Sequence, residues 1–215
     1  MKKELTGYPS IDNPHSRNSK YLERNPIIPS TNIYTTIKLL SNFYLDRNAV
    51  NCFDLNVSYG KLLDDAVTIS LALKELGVKK GDIISACMPN FYQALAIFLA
   101  CNRIGAVTTF LDSKASTEDI SFYLNEFESP IFINYNASEE ENNKIKEKTK
   151  VQYIVTLSKK NLNNLDLNSN YEITRNSNFI DYNNLGNISK FRKTKLEVPH
   201  FGNEDALILF TSGST

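Results

Sequence analysis

Residues 206–215 read ALILFTSGST, and this stretch decides how the rest of the chain is interpreted. Its first half is continuously apolar and contains no Gly or Pro, which predicts a short buried strand. Its second half, Thr211–Thr215, is small, mostly hydroxylated and contains a glycine. A loop that wraps a polyphosphate needs inward-facing backbone N–H groups, and Gly213 can adopt the positive φ that this geometry requires. The Thr and Ser hydroxyls supply further donors for phosphate oxygens.

An ordinary turn is the competing interpretation of residues 211–215, because Ser, Thr and Gly also favour simple turns after strands. A Walker loop is disfavoured, since its Gly-Lys-Ser/Thr signature is not found there. A nucleotide switch of the Walker type is therefore the weakest alternative. The residue types alone leave the turn and the phosphate loop open.

The composition is that of an ordinary globular protein. The 215 residues are 41% hydrophobic and 22% charged, enough for one sizeable domain core. Lys plus Arg and Asp plus Glu each number 24, so the formal net charge is zero. Because phosphate backbones select for clustered positive charge, this balance argues against nucleic acid as a main partner.

Cysteine and histidine usage predicts no metal site. Cys52, Cys87 and Cys101 have no metal-ligand spacing, and the last two lie in apolar stretches that predict buried thiols. His15 and His200 have no companion at metal spacing. No signal peptide is recognised, and no stretch approaches the roughly 18 apolar residues of a membrane helix. We therefore expect a cytoplasmic chain without a transmembrane segment.

Hydrophobic periodicity predicts a chain in which strands and helices alternate. The predicted helices cover residues 31–45, 59–76, 91–104, 117–127 and 138–149. The predicted strands cover a hairpin at 49–57 and single strands at 83–88, 106–111, 130–134 and 151–157. This alternation predicts the α/β class, with a largely parallel sheet flanked by helices.

Local signals place several helix ends. Ser30 or Thr31 is predicted to cap the first helix and Ser58 the second, because short hydroxyl side chains accept from free N–H groups there. Gly77 and Gly105 are predicted to end the second and third helices.

The last third of the chain has weaker patterns. Residues 158–170 are rich in Asn and Lys and predict a surface excursion. A strand is predicted at 171–174 and a short helix at 179–185. Residues 190–204 are predicted to be a polar connection to the terminal strand.

The terminal strand and loop resemble the phosphate loop of the adenylate-forming superfamily, which contains acyl-CoA synthetases, luciferases and peptide-synthetase adenylation domains. In that superfamily the motif continues Gly-x-Pro-Lys-Gly, so residues 211–215 correspond to its first half. Residues 57–62 resemble the first core motif, and residues 100–107 resemble the second in its acyl-CoA-synthetase form. Residues 5–14 are similar to the lead-in of a bacterial subgroup of acyl-CoA synthetases.

The resemblance implies the N-terminal portion of an ATP-dependent, AMP-forming acyl-CoA synthetase. Such an enzyme joins a fatty acid or related carboxylate to AMP, releases pyrophosphate, and passes the acyl group to CoA. The whole enzyme is expected to use ATP, Mg2+ and CoA. The residues implied to contact the β- and γ-phosphates of ATP are Thr211, Ser212, Gly213, Ser214 and Thr215. The resemblance places no catalytic or metal residue in residues 1–215, so these residues alone are expected to be inactive.

Three segments follow from this interpretation. Residues 1–28 are an extended lead-in, residues 29–200 the N-terminal α/β subdomain, and residues 201–215 the entry strand with the first half of the phosphate loop. The rest of the large domain and the C-terminal domain are then absent. The alternative is a non-catalytic interaction module or a self-associating half-fold, because an unpaired strand edge near residues 206–210 can recruit another strand.

Overall fold

The computed structural model describes residues 31–52, 55–163, 167, 178–190 and 204–210. All of them belong to one compact unit. Several predictions lie outside these residues: the lead-in at 1–28, the strand at 171–174, most of the connection at 190–204, and the loop Thr211–Thr215.

A helix and a hairpin precede the main sheet. Helix α1 covers Ile33–Ser41, and strands β1 (Asn48–Cys52) and β2 (Leu55–Ser58) pair antiparallel. The predicted cap at Ser30 or Thr31 is wrong, because the Asn32 side chain accepts from the Thr35 N–H at 2.7 Å. Asn32 has the extended backbone that an N-cap residue needs.

From residue 59 to residue 157 the elements alternate as predicted, and their bounds differ from the predicted ones mostly by one or two residues. These elements are α2 (Tyr59–Glu75), β3 (Ile83–Cys87), α3 (Tyr92–Ile104), β4 (Val107–Leu111), α4 (Thr117–Glu126), β5 (Ile131–Tyr135), α5 (Glu139–Lys148) and β6 (Tyr153–Leu157). The elements after them are α6 (Lys159–Asn163), β7 (Phe179–Asp181), a 3-10 helix (Tyr182–Asn184), α7 (Leu185–Ser189) and β8 (Leu207–Ile208).

The predicted helix signals at Ser58, Gly77 and Gly105 are confirmed. Ser58 caps α2 by accepting from the Lys61 N–H at 3.2 Å. Gly77 and Gly105 follow α2 and α3 with φ of 93° and 75°, a conformation that glycine adopts without strain.

Strands β3 to β8 form one parallel sheet with the order β7-β6-β5-β3-β4-β8. The α/β class with a largely parallel sheet is therefore confirmed. After β3 the chain first adds β4 on one side and then returns to add β5 on the other. The growth of the sheet thus reverses direction at β3, which makes the β3–β5 boundary a topological switch point.

Two apolar cores lie on the two faces of the sheet, because neighbouring residues in a strand point to opposite faces. Strand β5 shows the division: Ile131 and Ile133 belong to the core built with α2, α3 and α7, and Phe132 to the core built with α4 and α5. All three side chains are fully buried.

The last third of the chain corrects three predictions. The predicted helix at 179–185 is wrong in its first half, because Phe179–Asp181 pairs with β6 as strand β7. The predicted surface excursion contains helix α6, in which Asn161 is buried and its carbonyl accepts from the Gln93 side-chain amide at 3.1 Å. The predicted buried strand at 206–210 is shorter and more exposed than expected, because β8 lies at the edge of the sheet and, in the part of the chain that the structure describes, pairs only with β4.

Candidate functional site

The carboxyl edge of the sheet is the candidate site, because ligands of open parallel sheets bind in the crevice beyond the strand ends at a switch point. Here β3 runs into Met88–Pro89 and β5 into Asn136–Ala137. The rings of Phe91 and Tyr135 meet edge to face with centroids 5.1 Å apart, and thereby join the two strand ends.

Strand β8 points towards the same edge and ends before it, because its two residues pair with the first half of β4. It runs parallel to β4, with Thr108 opposite Leu207 and Thr109 opposite Ile208. The Thr108 N–H donates to the Ala206 carbonyl at 3.1 Å, and the Thr109 hydroxyl donates to the Ile208 carbonyl at 3.2 Å. The direction of β8 therefore leads the chain towards the carboxyl edge as it leaves the strand.

Phe210 is the last described residue beyond β8. Its ring lies 4.6 Å from that of Tyr123 and 5.9 Å from that of Phe127, centroid to centroid. These contacts bring the chain against the helix that follows β4. The five predicted site residues, Thr211–Thr215, begin directly after Phe210 and lie outside the described part of the chain.

A cleft of about 600 Å3 opens at the switch point. Its floor is formed by Cys87, Pro89 and Asn134 at the ends of β3 and β5. Its walls are the starts of the two helices that follow β4 and β5, and the lining residues there include Ser113, Ser116, Thr117, Glu118, Asn136 and Glu141.

The buried polar groups on the floor already have partners. The Cys87 thiol donates to the Asp112 carbonyl at 3.3 Å, and burial, assisted by the Asp112 charge, raises the pKa of this thiol to about 11. A thiol with this pKa stays protonated near neutral pH and is a poor nucleophile. Asn134 donates its side-chain amide to the Asn142 side chain at 2.9 Å.

The helix starts in the cleft wall are capped by the chain itself. Ser116 accepts from the Asp119 N–H at 3.1 Å. Ser138 and Glu141 form a reciprocal capping box, in which the Ser138 backbone N–H and hydroxyl lower the pKa of the Glu141 carboxyl. Both helices also carry carboxylates in their first turns, Glu118 and Asp119 in α4 and Glu141 in α5, which offset the positive ends of the helix dipoles.

These groups suit a neutral polar ligand better than an anion. The cleft offers hydroxyl and amide groups beside apolar Pro89, Ile120 and Ile145. Its charged lining residues are Glu118 and Glu141, and Lys148 pairs with Glu118 at 2.8 Å outside the lining. In the described residues, no group of three or more His, Cys, Asp or Glu side chains could hold a metal ion.

Sequence reasoning did not identify the cleft. The available signals were the polar residues directly after each strand, such as Asn134 and Asn136, and the Ser138-x-x-Glu141 capping pattern. These signals mark strand ends and helix starts, but the sequence does not show which strand ends become neighbours.

Comparisons with known proteins agree with this architecture. A sequence profile of the family described as AMP-binding enzyme matches residues 41–215. Acetyl-coenzyme A synthetase from Coprinopsis cinerea is 39% identical over 77 residues, which are 36% of this chain and 12% of that protein. The Homo sapiens protein called acetyl-coenzyme A synthetase 2-like, mitochondrial, is 32% identical over 83 residues, which are 39% of this chain and 12% of that protein.

Solved structures share the fold at lower identity. An anthranilate CoA ligase in complex with anthranoyl-AMP matches with a TM-score of 0.68 at 15% identity, covering 87% of this chain and 33% of that chain. A long-chain-fatty-acid-CoA ligase from Archaeoglobus fulgidus matches with a TM-score of 0.67 at 15% identity, covering 89% and 36%. The chain thus spans about a third of the length of these ligases, and at this identity the likeness shows the fold.

Proposed function

The chain belongs to the AMP-binding enzyme family, and from this premise we propose that it forms the N-terminal part of an ATP-dependent, AMP-forming acyl-CoA ligase. In the proposed reaction, a carboxylate oxygen attacks the α-phosphorus of ATP and pyrophosphate leaves with its bridging oxygen. The thiol of CoA then attacks the acyl carbon, AMP leaves, and the thiol proton is released. The first step depends on positioning and on neutralising phosphate charge.

The course of β8 is the observation that supports this proposal most directly. The strand lies parallel to β4 and leads towards the carboxyl edge of the sheet. We propose that Thr211, Ser212, Gly213, Ser214 and Thr215 continue from it as the first half of a loop around the β- and γ-phosphates of ATP. Consecutive backbone N–H groups in such a loop bind phosphate oxygens, and the hydroxyl side chains add donors.

The carboxylate substrate is proposed only as a class. The curated relatives named above are called acetyl-coenzyme A synthetases, whereas the solved ligases named above carry the names of anthranilate and long-chain fatty acid substrates. A substrate panel therefore has to run from acetate through aromatic acids to long-chain fatty acids. Mg2+ and CoA belong to the proposal through the family, and a cytoplasmic location stays a prediction.

Extending the chain tests the proposal. The coding DNA after the Thr215 codon should continue with Gly-x-Pro-Lys-Gly. The protein expressed from that longer reading frame should then catalyse carboxylate-dependent exchange of labelled pyrophosphate into ATP. A frame that continues with the motif but gives no exchange with any acid of the panel contradicts the proposed activity.

We further propose that residues 1–215 alone do not catalyse adenylation. The chain spans about a third of the solved ligases, and the resemblance places the other catalytic groups beyond it. The same exchange assay on the 215-residue chain should give the rate of a blank without protein. Carboxylate-dependent turnover by this chain contradicts this part of the proposal.

Self-association is the second candidate function, and the exposed edge of the sheet favours it. Leu209 is 66% exposed and Phe210 44% exposed, and β8 has a strand partner on one side among the described residues. Exposed apolar edge strands can pair with a second chain. Light scattering after size exclusion should then show a dimer that Leu209→Lys converts to monomer, with Ile33→Lys as a control at another exposed aliphatic residue, which is 42% exposed at the start of α1. A monomeric parent chain contradicts this candidate.

A further inference from the structure

A ridge of exposed apolar side chains covers the end of α1 and the turn after it. Phe43 is 86% exposed, Leu40 71% and Leu39 66%, and Tyr44 and Leu45 extend the same ridge at 47% and 40%. Singly exposed apolar residues are common on protein surfaces, but a contiguous group marks an interaction surface. We call these five residues the α1 ridge.

The ridge is held in place by ordered contacts on its inner side. Tyr34 of α1 is 3% exposed, and its backbone N–H donates to the Asn102 side chain at 2.9 Å. Beyond α1, the Leu45 carbonyl accepts from the Gly60 N–H at 2.9 Å. These contacts fix the helix on α3 and fix the turn on the start of α2. The backbone that carries the exposed apolar side chains is therefore ordered.

Basic side chains flank the ridge. Lys38 stands one residue before it and Arg47 two residues after it. The Arg47 guanidinium lies 4.5 Å from the centre of the Tyr44 ring. Asp46 is the single acid in residues 38–47, so this segment carries one net positive charge.

From these features we propose that the α1 ridge inserts into the interfacial region of a lipid bilayer. Leucine and phenylalanine side chains would enter the acyl boundary, whereas Tyr44, Lys38 and Arg47 would remain at the headgroups, as in amphipathic interfacial helices. In the described residues, no helix has the length and apolar character needed to cross a membrane. The proposed contact is therefore peripheral.

Size and charge favour lipid over a second copy of this chain. Five partly exposed side chains make a patch of a few hundred Å2, which is smaller than the roughly 800 Å2 per partner that a stable protein interface buries. Two copies meeting through this ridge would also bring their Lys38 and Arg47 side chains together. An anionic lipid surface would attract the same charges.

The absence of tryptophan from the sequence permits a direct test. Phe43→Trp places a single indole on the ridge, and Phe122→Trp places one at a different exposed aromatic, which is 60% exposed on α4. On vesicles of phosphatidylcholine with phosphatidylglycerol, the emission of Phe43→Trp should shift to the blue and that of Phe122→Trp should not. No shift for Phe43→Trp overturns the proposal, and so does an equal shift for both variants.

Vesicle sedimentation gives an independent readout on the chain without tryptophan. Leu40→Ser combined with Phe43→Ser should weaken partitioning at least about tenfold, because two apolar side chains lose their burial in lipid. Phe122→Ser should sediment with vesicles like the parent. Lys38→Glu should remove the preference for anionic over neutral vesicles.

Two further outcomes decide against the proposal. One is unchanged sedimentation of the Leu40→Ser/Phe43→Ser variant. The other is a dimer in light scattering that this variant dissociates, which would assign the ridge to a second copy. The variant should unfold at the same temperature as the parent chain, because both substitutions are at exposed positions. This thermal unfolding measurement shows that the variant is folded.

Discussion

Among the described residues, strands β7 and β8 are the two edges of one parallel sheet, and both are short, but their surroundings differ. β7 is followed by the 3-10 helix and α7, whose Tyr182 and Leu185 are 3% and 0% exposed against α2 and α3. β8 ends in Leu209 and Phe210, which are 66% and 44% exposed. The residues that follow β7 are therefore buried in the core, whereas the described residues that follow β8 are largely exposed.

Within one sheet, the β7 side therefore contributes mainly to stability, whereas the β8 side carries the proposed function. The β7 side is closed by apolar burial and by a polar cluster in which Tyr92 donates to the Asp65 carboxylate at 2.7 Å. The β8 side carries the strand that leads to the proposed phosphate loop. Binding loops belong to the less stable parts of proteins, because they need few buried contacts of their own. The comparison predicts that substitutions at the two edges have very different costs.

The largest effect is expected at the β7 side. Leu185→Ala should lower the free energy of unfolding by about 3 kcal/mol, because it leaves a cavity at a fully buried leucine. Leu209→Ala, the matched substitution beyond β8, should change it by less than about 0.5 kcal/mol. Urea unfolding followed by circular dichroism measures both values, and equal costs would remove the distinction between the edges.

The next effect concerns the polar cluster near β7. Tyr92→Phe should cost about 2 kcal/mol, because a buried Asp65 carboxylate oxygen loses its hydrogen-bond donor. Tyr44→Phe, at a half-exposed tyrosine, is the matched control and should cost less than about 0.5 kcal/mol. The same unfolding measurement applies, and a Tyr92→Phe variant as stable as its control would contradict this role of Asp65.

A smaller effect is expected for Phe210→Ala at the β8 side. Its ring contacts with Tyr123 and Phe127 should be worth about 1 kcal/mol, because the ring stays partly in solvent. If Phe210→Ala costs as much as Leu185→Ala in urea unfolding, the β8 edge is a closed core rather than an open one.

The smallest expected effect is a dependence of the unfolding free energy on pH that arises from Asp65. Burial raises the pKa of this carboxyl above the ordinary 3.8, although Lys61 and Tyr92 oppose the shift and Asp64 adds to it. The folded state therefore holds the Asp65 proton more tightly than the unfolded state. The stabilisation that this proton contributes is fully present below pH 3.8, the pKa of the unfolded chain, and is lost as the pH rises through the raised pKa of the folded state.

Asp65→Asn is the variant that isolates this dependence. The difference in unfolding free energy between parent and variant should move against the parent as pH rises from the acid side. Urea midpoints across a pH series measure it. A difference that moves in the parent's favour would show that the Lys61 ion pair, rather than burial, dominates at Asp65.

Local chemistry made much of the fold predictable. Ser58, Gly77 and Gly105 act through their own backbone neighbours, so their roles at helix ends follow from residue type. The β7 assignment failed because Phe179–Asp181 is a strand through pairing with β6, a long-range contact. The prediction that residues 206–210 are buried failed for a related reason, because the exposure of an edge strand depends on which other parts of the chain lie beside it.

The site was less predictable than the fold. The cleft joins Cys87, Ser116 and Asn134, which come from three separate segments of the sequence. Their proximity follows from the order of strands at the switch point, and no spacing along the chain encodes it. The resemblance pointed instead to Thr211–Thr215, which stay a prediction.

Amide NMR of the 215-residue chain tests the central claim, that residues 211–215 form part of a triphosphate-binding loop at the carboxyl edge. The chain is titrated with inorganic triphosphate and, separately, with AMP. We predict saturable shift changes at the amides of Ser212 and Gly213 with triphosphate, little change there with AMP, and none at Leu185 with either ligand. Unchanged amides at residues 211–215, or equal changes with AMP, would contradict the claim.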